Sequence, residues 1–193
     1  GGGAMLIRTI TAAVLLAGSA AAQTTASAAD QRLKAVYEAE WQWRLAQTGQ
    51  EQDGLDTRPG PRLPCVTPAC QAERLRMWQG VLDQLAAIPD AELSPAERLN
   101  KAVLAESLRA EVANIRWRSH EMPINSDVNV WNYLPAQAPF RTAQEYRNYI
   151  SRMRDIPRWF DEHVANMRAG LKRGFTPPAI TLKGRDGTLA AQI

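Results

Sequence analysis

The sequence predicts a mainly all-α protein: an antiparallel helical array with one irregular loop rich in proline and tryptophan. Three observations carry this. Apolar residues recur at three- and four-residue spacing over most of the chain after Asp30. Helix-start signals stand at Thr67-Pro68, at Ser94-Pro95-Ala96-Glu97 and at Thr142-Ala143-Gln144-Glu145. Prolines gather between the periodic stretches, with Pro157 the exception.

In order along the chain, Asp30 reads as the cap of a first helix, with Leu33, Val36, Tyr37, Trp41 and Leu45 on its core face and Gly49 as its stop. A loop rich in Gly, Pro, Asp and Gln follows from Gly49 to Pro64. Thr67 caps a second helix whose stripe is Leu75, Trp78, Leu82 and Leu85. That helix ends before Pro89, because the residue ahead of a proline is pushed out of helical geometry. The third helix opens with a capping box in which Ser94 accepts from the helix and Glu97 reaches back. Leu99, Val103, Leu108, Val112 and Ile115 are its expected core face. Helices two and three then form an antiparallel hairpin with its turn near Pro89.

From Arg118 to Arg141 the periodicity fails. This stretch is too apolar for a solvated linker and reads as an ordered loop against the helices. A second capping box at Thr142 and Glu145 opens a fourth helix with Tyr146, Tyr149, Ile150 and Met153 as its stripe. Pro157 opens or kinks a further helix carrying Phe160, Val164, Met167 and Leu171, stopped by Gly174. Thr176-Pro177-Pro178 reads as extended, Ala179 to Lys183 as a short strand or ordered loop, and Asp186-Gly187-Thr188 as a helix start that runs out at Ile193. An uncapped turn of that length does not hold alone, so the chain reads as the truncated front of a larger domain.

Hydrophobic residues make up 45% and charged residues 22%, which fits a soluble globular domain. The net charge of +3 is spread over interleaved Arg and Glu, as in Glu73-Arg74-Leu75-Arg76, rather than drawn into a basic stripe, so a nucleic-acid partner is not expected. Met5, Arg8 and the apolar run Ile10 to Ala17 followed by small residues have the order of a secretory signal. Cleavage fits after Ala22 or after Ala28, and the first lies closer to the apolar run. That run is well short of the ~20 residues that span a bilayer. The organisation expected is residues 1–22 as read-through plus signal and residues 23–193 as the helical segment, exported to the periplasm or beyond, with no membrane association after processing.

Export bears on Cys65 and Cys70. In an oxidising compartment two cysteines so close favour a disulfide, worth about 2 kcal/mol for so short a loop. Two free thiols are the alternative, and a zinc site is the weakest reading, since no further Cys or neighbouring His completes four ligands. His120-Glu121 begins like the zinc motif His-Glu-x-x-His, but Ile124 stands where the second His is needed and Pro123 breaks the helix. His163 is a lone helical histidine. No nucleophile elbow and no phosphate loop is present. Trp41 and Trp78 fall on core stripes. Asn125, Asp127 and Trp131 are the best local candidates for a substrate-cleft wall, against the plainer reading of Asx side chains capping turns.

These residues also carry a resemblance. Glu40-Trp41-Gln42-Trp43-Arg44, Leu93 to Asn100, Asn125-Ser126-Asp127 with Trp131, Tyr146 to Arg152, Ile156-Pro157-Arg158, Asn166 to Leu171 and Gly174 to Pro178 together resemble the N-terminal part of the bacterial domain-of-unknown-function 885 proteins. The resemblance implies a large helical fold with a deep cleft, grouped with zinc metallopeptidases whose catalytic helix carries His-Glu-x-x-His. It implies zinc for the full-length relative, a peptide substrate, and the remainder of the polypeptide as partner. This chain holds no such helix, so no catalytic or metal residue carries over to any position here, and no cofactor is expected in it.

Overall fold

The computed structural model describes residues 27–53, 56–124 and 140–190. Residues 1–26, where a signal is expected, the segment with Asn125, Asp127 and Trp131, and the last three residues lie outside them. The described residues are mainly helical: α1 (Ala28–Gln47), α2 (Pro68–Ala86), α3 (Pro95–Arg116), α4 (Ala143–Arg173), α5 (Ala179–Leu182) and α6 (Arg185–Ala190). Two 3-10 turns, Asp90–Glu92 and Ser119–Glu121, flank α3. Within the expected loop after Gly49 lies a small antiparallel hairpin, β1 (Gln50–Asp53) with β2 (Asp56–Pro59). Its residues are polar throughout β1 and carry no alternation, which is why periodicity missed it. Ala179 to Leu182, read from sequence as a strand or loop, is a single helical turn.

The α2–α3 hairpin forms with its turn at Pro89, and α1 packs against both helices. Leu33, Val81, Leu85 and Leu108 are the heart of this core, with Trp78 and Val112 beside them. Asp30 is not the cap of α1. Ser27 is, accepting from the Asp30 amide at 3.0 Å. Asp30 instead caps α3 from a distance: its Oδ1 accepts the Ser94 amide at 2.9 Å. That hydrogen bond holds the Asp30 carboxyl below its usual range. Ser94 accepts from Glu97 N as expected, but the Ser94 amide is taken by Asp30, so Glu97 does not reach back. The capping box at Thr142 and Glu145 is complete.

Three expected stripes are rotated. Trp41 is 41% exposed, because the inward face of α1 runs through Leu33 and Glu40 rather than through Trp41. The Glu40 carboxylate is buried and accepts from Trp78 Nε1 at 3.0 Å and from Arg44 Nε at 2.8 Å, which is why a charge can sit there. Leu99 and Val103 point outward from α3.

The largest departure is α4. It runs unbroken through Pro157, which sits on its exposed side. Tyr146, Ile150, Met153 and Leu171, expected in the core, are exposed. The buried face carries Asn148, Trp159, His163, Asn166 and Gly170. The cause is the extended strap between β2 and α2. Its backbone has no sheet partner, and buried peptide groups must be hydrogen-bonded. Side chains of α4 supply the bonds. Asn148 Nδ2 donates to the Pro59 carbonyl at 3.3 Å, and Asp155 Oδ2 accepts from Leu63 N at 2.9 Å. Arg158 Nη2 donates to the Leu63 carbonyl at 2.8 Å, Glu162 Oε2 accepts from Val66 N at 2.9 Å, and Asn166 Nδ2 donates to the Val66 carbonyl at 2.7 Å. A helix face thus does the work of a neighbouring strand.

One consequence is an acid-sensitive anchor. Hydrogen bonds from Arg158, with the Leu63 amide, lower the Asp155 carboxyl from its ordinary 3.8 to about 2. The unfolded chain therefore takes up this proton first. The contribution is complete above pH 3.8 and is lost as the pH falls toward about 2. Acid unfolding followed by circular dichroism should show about 2 kcal/mol of stability disappearing over that window, and an Asp155→Asn variant should lack this component.

Candidate functional site

The strap leads to Cys65 and Cys70, which are joined by a disulfide with their Cα atoms 6.1 Å apart. Thr67 between them caps α2. From the first turns of α2, Arg74 Nη2 donates to the Cys65 carbonyl at 2.6 Å and to the Gln47 carbonyl at 3.3 Å. This single guanidinium ties the disulfide loop to the end of α1. Next to it Arg44 lies over the Trp78 ring at 5.3 Å while paired with Glu40.

These residues line a cavity of about 310 Å³ between α1, α2, the end of α3 and the 3-10 turn that follows. Trp78, Ile115 and Pro64 give it apolar wall; Arg74, Glu111 and Asn114 give it polar groups. Arg74 and Glu111 form no ion pair with each other or with any other described residue, although Glu111 acts on the Arg74 charge through space. Burial is the main influence on Arg74 and lowers its pKa.

His120 stands at the mouth of this cavity. Burial pushes its pKa down, and its Nδ1 is buried with no partner among the described residues. The next residue, Glu121, is buried and accepts from Arg173 Nε at 3.0 Å. Its backbone and Cβ abut Gly170, where any side chain would collide. On the far side of residues 125–139, Phe140 stacks on Tyr146 with ring centroids 4.8 Å apart. On either side of residues 125–139, Glu121 and Phe140 are thus held to α4.

His163 is not brought to this site. It packs edge-on against Trp159 at 4.5 Å, and both ring nitrogens are buried without a partner. Burial lowers its pKa. Such a group costs free energy where it sits. His163→Leu should therefore raise the unfolding free energy by about 1 kcal/mol in urea titration. A loss of stability would show that the ring has a hydrogen-bond partner.

A second, larger hollow of about 1100 Å³ lies between α2 and α3, floored by Leu82, Ala102 and Ala105 and edged by Arg98, Arg109 and Trp117. It runs along the helix pair and is about as open to solvent as the cavity beside Arg74. The zinc that the family resemblance implies finds no ligand set: among the described residues no three His, Cys, Asp or Glu side chains converge to hold a metal ion. Among the described residues no helix is long and apolar enough to cross a membrane.

Fold and site define a mainly helical domain with a small cavity of mixed apolar and polar lining between α1, α2 and the end of α3. The chain belongs to the DUF885 family, bacterial proteins of unknown function, whose family model matches residues 45–193. No curated protein and no solved structure matches it. The match begins just after the Glu40–Arg44 stretch, so that stretch lies outside it. Sequence reasoning missed Arg74 and Glu111, which looked like ordinary surface charges among alternating signs.

Proposed function

We propose that this segment is a binding wall of an exported, zinc-peptidase-like protein, and that it holds a peptide substrate without performing the chemistry. The observation that carries the reading is the character of the cavity. It offers a cation, a carboxylate and an amide against an apolar wall, which suits recognition. The described residues add no metal ligand set to it. Asn125, Asp127 and Trp131 follow His120 in sequence, and on this reading they belong to the same cleft.

Two exposed apolar surfaces support a further packing partner, the remainder of the polypeptide. One is Tyr146, Ile150, Met153 and Leu171 on α4; the other is Leu99, Val103 and Trp117 on α3. Large apolar side chains left exposed on one helix face are the kind of surface that a packing partner covers. The signal-like N-terminus and the Cys65–Cys70 disulfide support an oxidising, exported location. The experiment is a peptide-library digestion by the purified 193-residue chain, with zinc supplied and with a chelator, read by mass spectrometry. No cleavage is expected in either condition. Cleavage that the chelator stops would overturn the non-catalytic assignment.

A further inference from the structure

We infer that the cavity beside Arg74 takes a short unblocked peptide by both of its charged ends, the α-carboxylate on Arg74 and the α-ammonium on Glu111. This deepens the binding-wall reading and rests on it.

The argument starts from the Arg74 guanidinium. Its Nη2 is spent on two backbone carbonyls, so the group is held in place before any ligand arrives. Its Nη1 and Nε have no acceptor among the described residues, and neither is a buried orphan. They therefore meet the cavity or solvent. A fixed guanidinium with free N–H groups is suited to a carboxylate, since a charge-assisted hydrogen bond is about twice as strong as a neutral one. Preorganisation by the Cys65 and Gln47 carbonyls lowers the entropic cost of forming it.

Glu111 lines the same cavity and has no cation paired with it among the described residues. The two opposite charges are near enough to interact through space and do not close on each other. A ligand that carries one charge of each sign at its two ends completes both. The other charged side chain lining the cavity, Arg44, is already neutralised by Glu40. The volume of about 310 Å³ lies at the small end of the range for ligand sites, so the ligand is a dipeptide-sized zwitterion rather than a long chain. Trp78 and Ile115 give its side chains an apolar surface.

The test is calorimetric titration of the purified protein with leucylglycine, its C-terminal amide and its N-acetyl derivative. The free dipeptide should bind, and each blocked form should bind about tenfold more weakly or worse. Arg74→Lys keeps a cation able to reach the Cys65 carbonyl but lacks the free Nη1, and it should lose discrimination against the amide. Glu111→Gln should lose discrimination against the acetylated form. Asn114→Trp fills the cavity from the turn after Glu111 while leaving both charged groups in the chain, and it should abolish binding while leaving the thermal midpoint unchanged. Equal binding of all three ligands, or binding that survives Asn114→Trp, would overturn the inference, as would no binding by the folded wild type. Dipeptide binding together with chelator-sensitive cleavage by the same protein would leave this inference standing and remove the non-catalytic reading. No cleavage and no dipeptide binding would do the reverse.

Discussion

Arg158→Met should lower the unfolding free energy by about 3 kcal/mol, the largest effect expected of any single side chain here. Arg158 is the centre of the α4–strap anchor. Its Nη2 bonds Asp155 Oδ2 at 2.6 Å and the Leu63 carbonyl at 2.8 Å, and its Nη1 bonds Glu162 Oε1 at 2.7 Å. The side chains of Asp155 and Glu162 are only 9% and 15% exposed. Removing the cation leaves two poorly solvated carboxylates facing one another, and that penalty exceeds the loss of the bonds themselves. The figure is set at the lower end because Arg158 is itself 29% exposed. Urea unfolding gives the number. A second reading separates the causes: in Arg158→Met the low Asp155 pKa should move up toward its ordinary 3.8, since the Arg158 hydrogen bond is its main cause. An unchanged acid limb would show that the Leu63 amide and Arg62 hold the carboxylate without Arg158.

Gly49→Ala should cost about 3 kcal/mol and loosen the strap as a unit. Gly49 has φ +66, a left-handed conformation that costs an L side chain roughly 1–2 kcal/mol. A Cβ there would also stand 2.3 Å from the Arg62 carbonyl oxygen, a backbone atom, so something must move. Its own carbonyl accepts from Gly60 N at 2.8 Å, closing the base of the β1–β2 hairpin. Gly174 provides the comparison, with φ +74 and open space where its Cβ would lie. Gly174→Ala should therefore show the conformational cost alone. The difference between the two variants, measured by denaturant titration, is the clash. Equal costs would show that the strap yields to the methyl group.

Much of the helical framework is legible in the sequence because caps are local chemistry. Thr67, Ser94, Thr142 and Gly174 bound their helices as their residue types require. The orientation of α4 is not legible, for a physical reason. Apolar periodicity assumes that a helix turns its greasy side to its own chain. Here the nearest part of the chain is an extended backbone whose N–H and C=O groups need polar partners, so Asp155, Glu162 and Asn166 face inward. Glu40 in α1 is the same case, buried because Trp78 and Arg44 complete it. Arg44 is its i,i+4 neighbour, but Trp78 is 38 positions away and not visible from the sequence around Glu40. The candidate site is hidden similarly: Arg74 and Glu111 are 37 positions apart and read as surface charge until α2 and α3 pair.

The direct test of the binding-wall account is photo-crosslinking of the purified protein with an unblocked dipeptide bearing a diazirine side chain, with adducts located by mass spectrometry. The account predicts labels at the cavity, on Asn114, Ile115, Ser119 or His120. Labels confined to the opposite groove, on Leu82, Ala102 or Arg109, or no labelling above that of a blocked peptide, would contradict it.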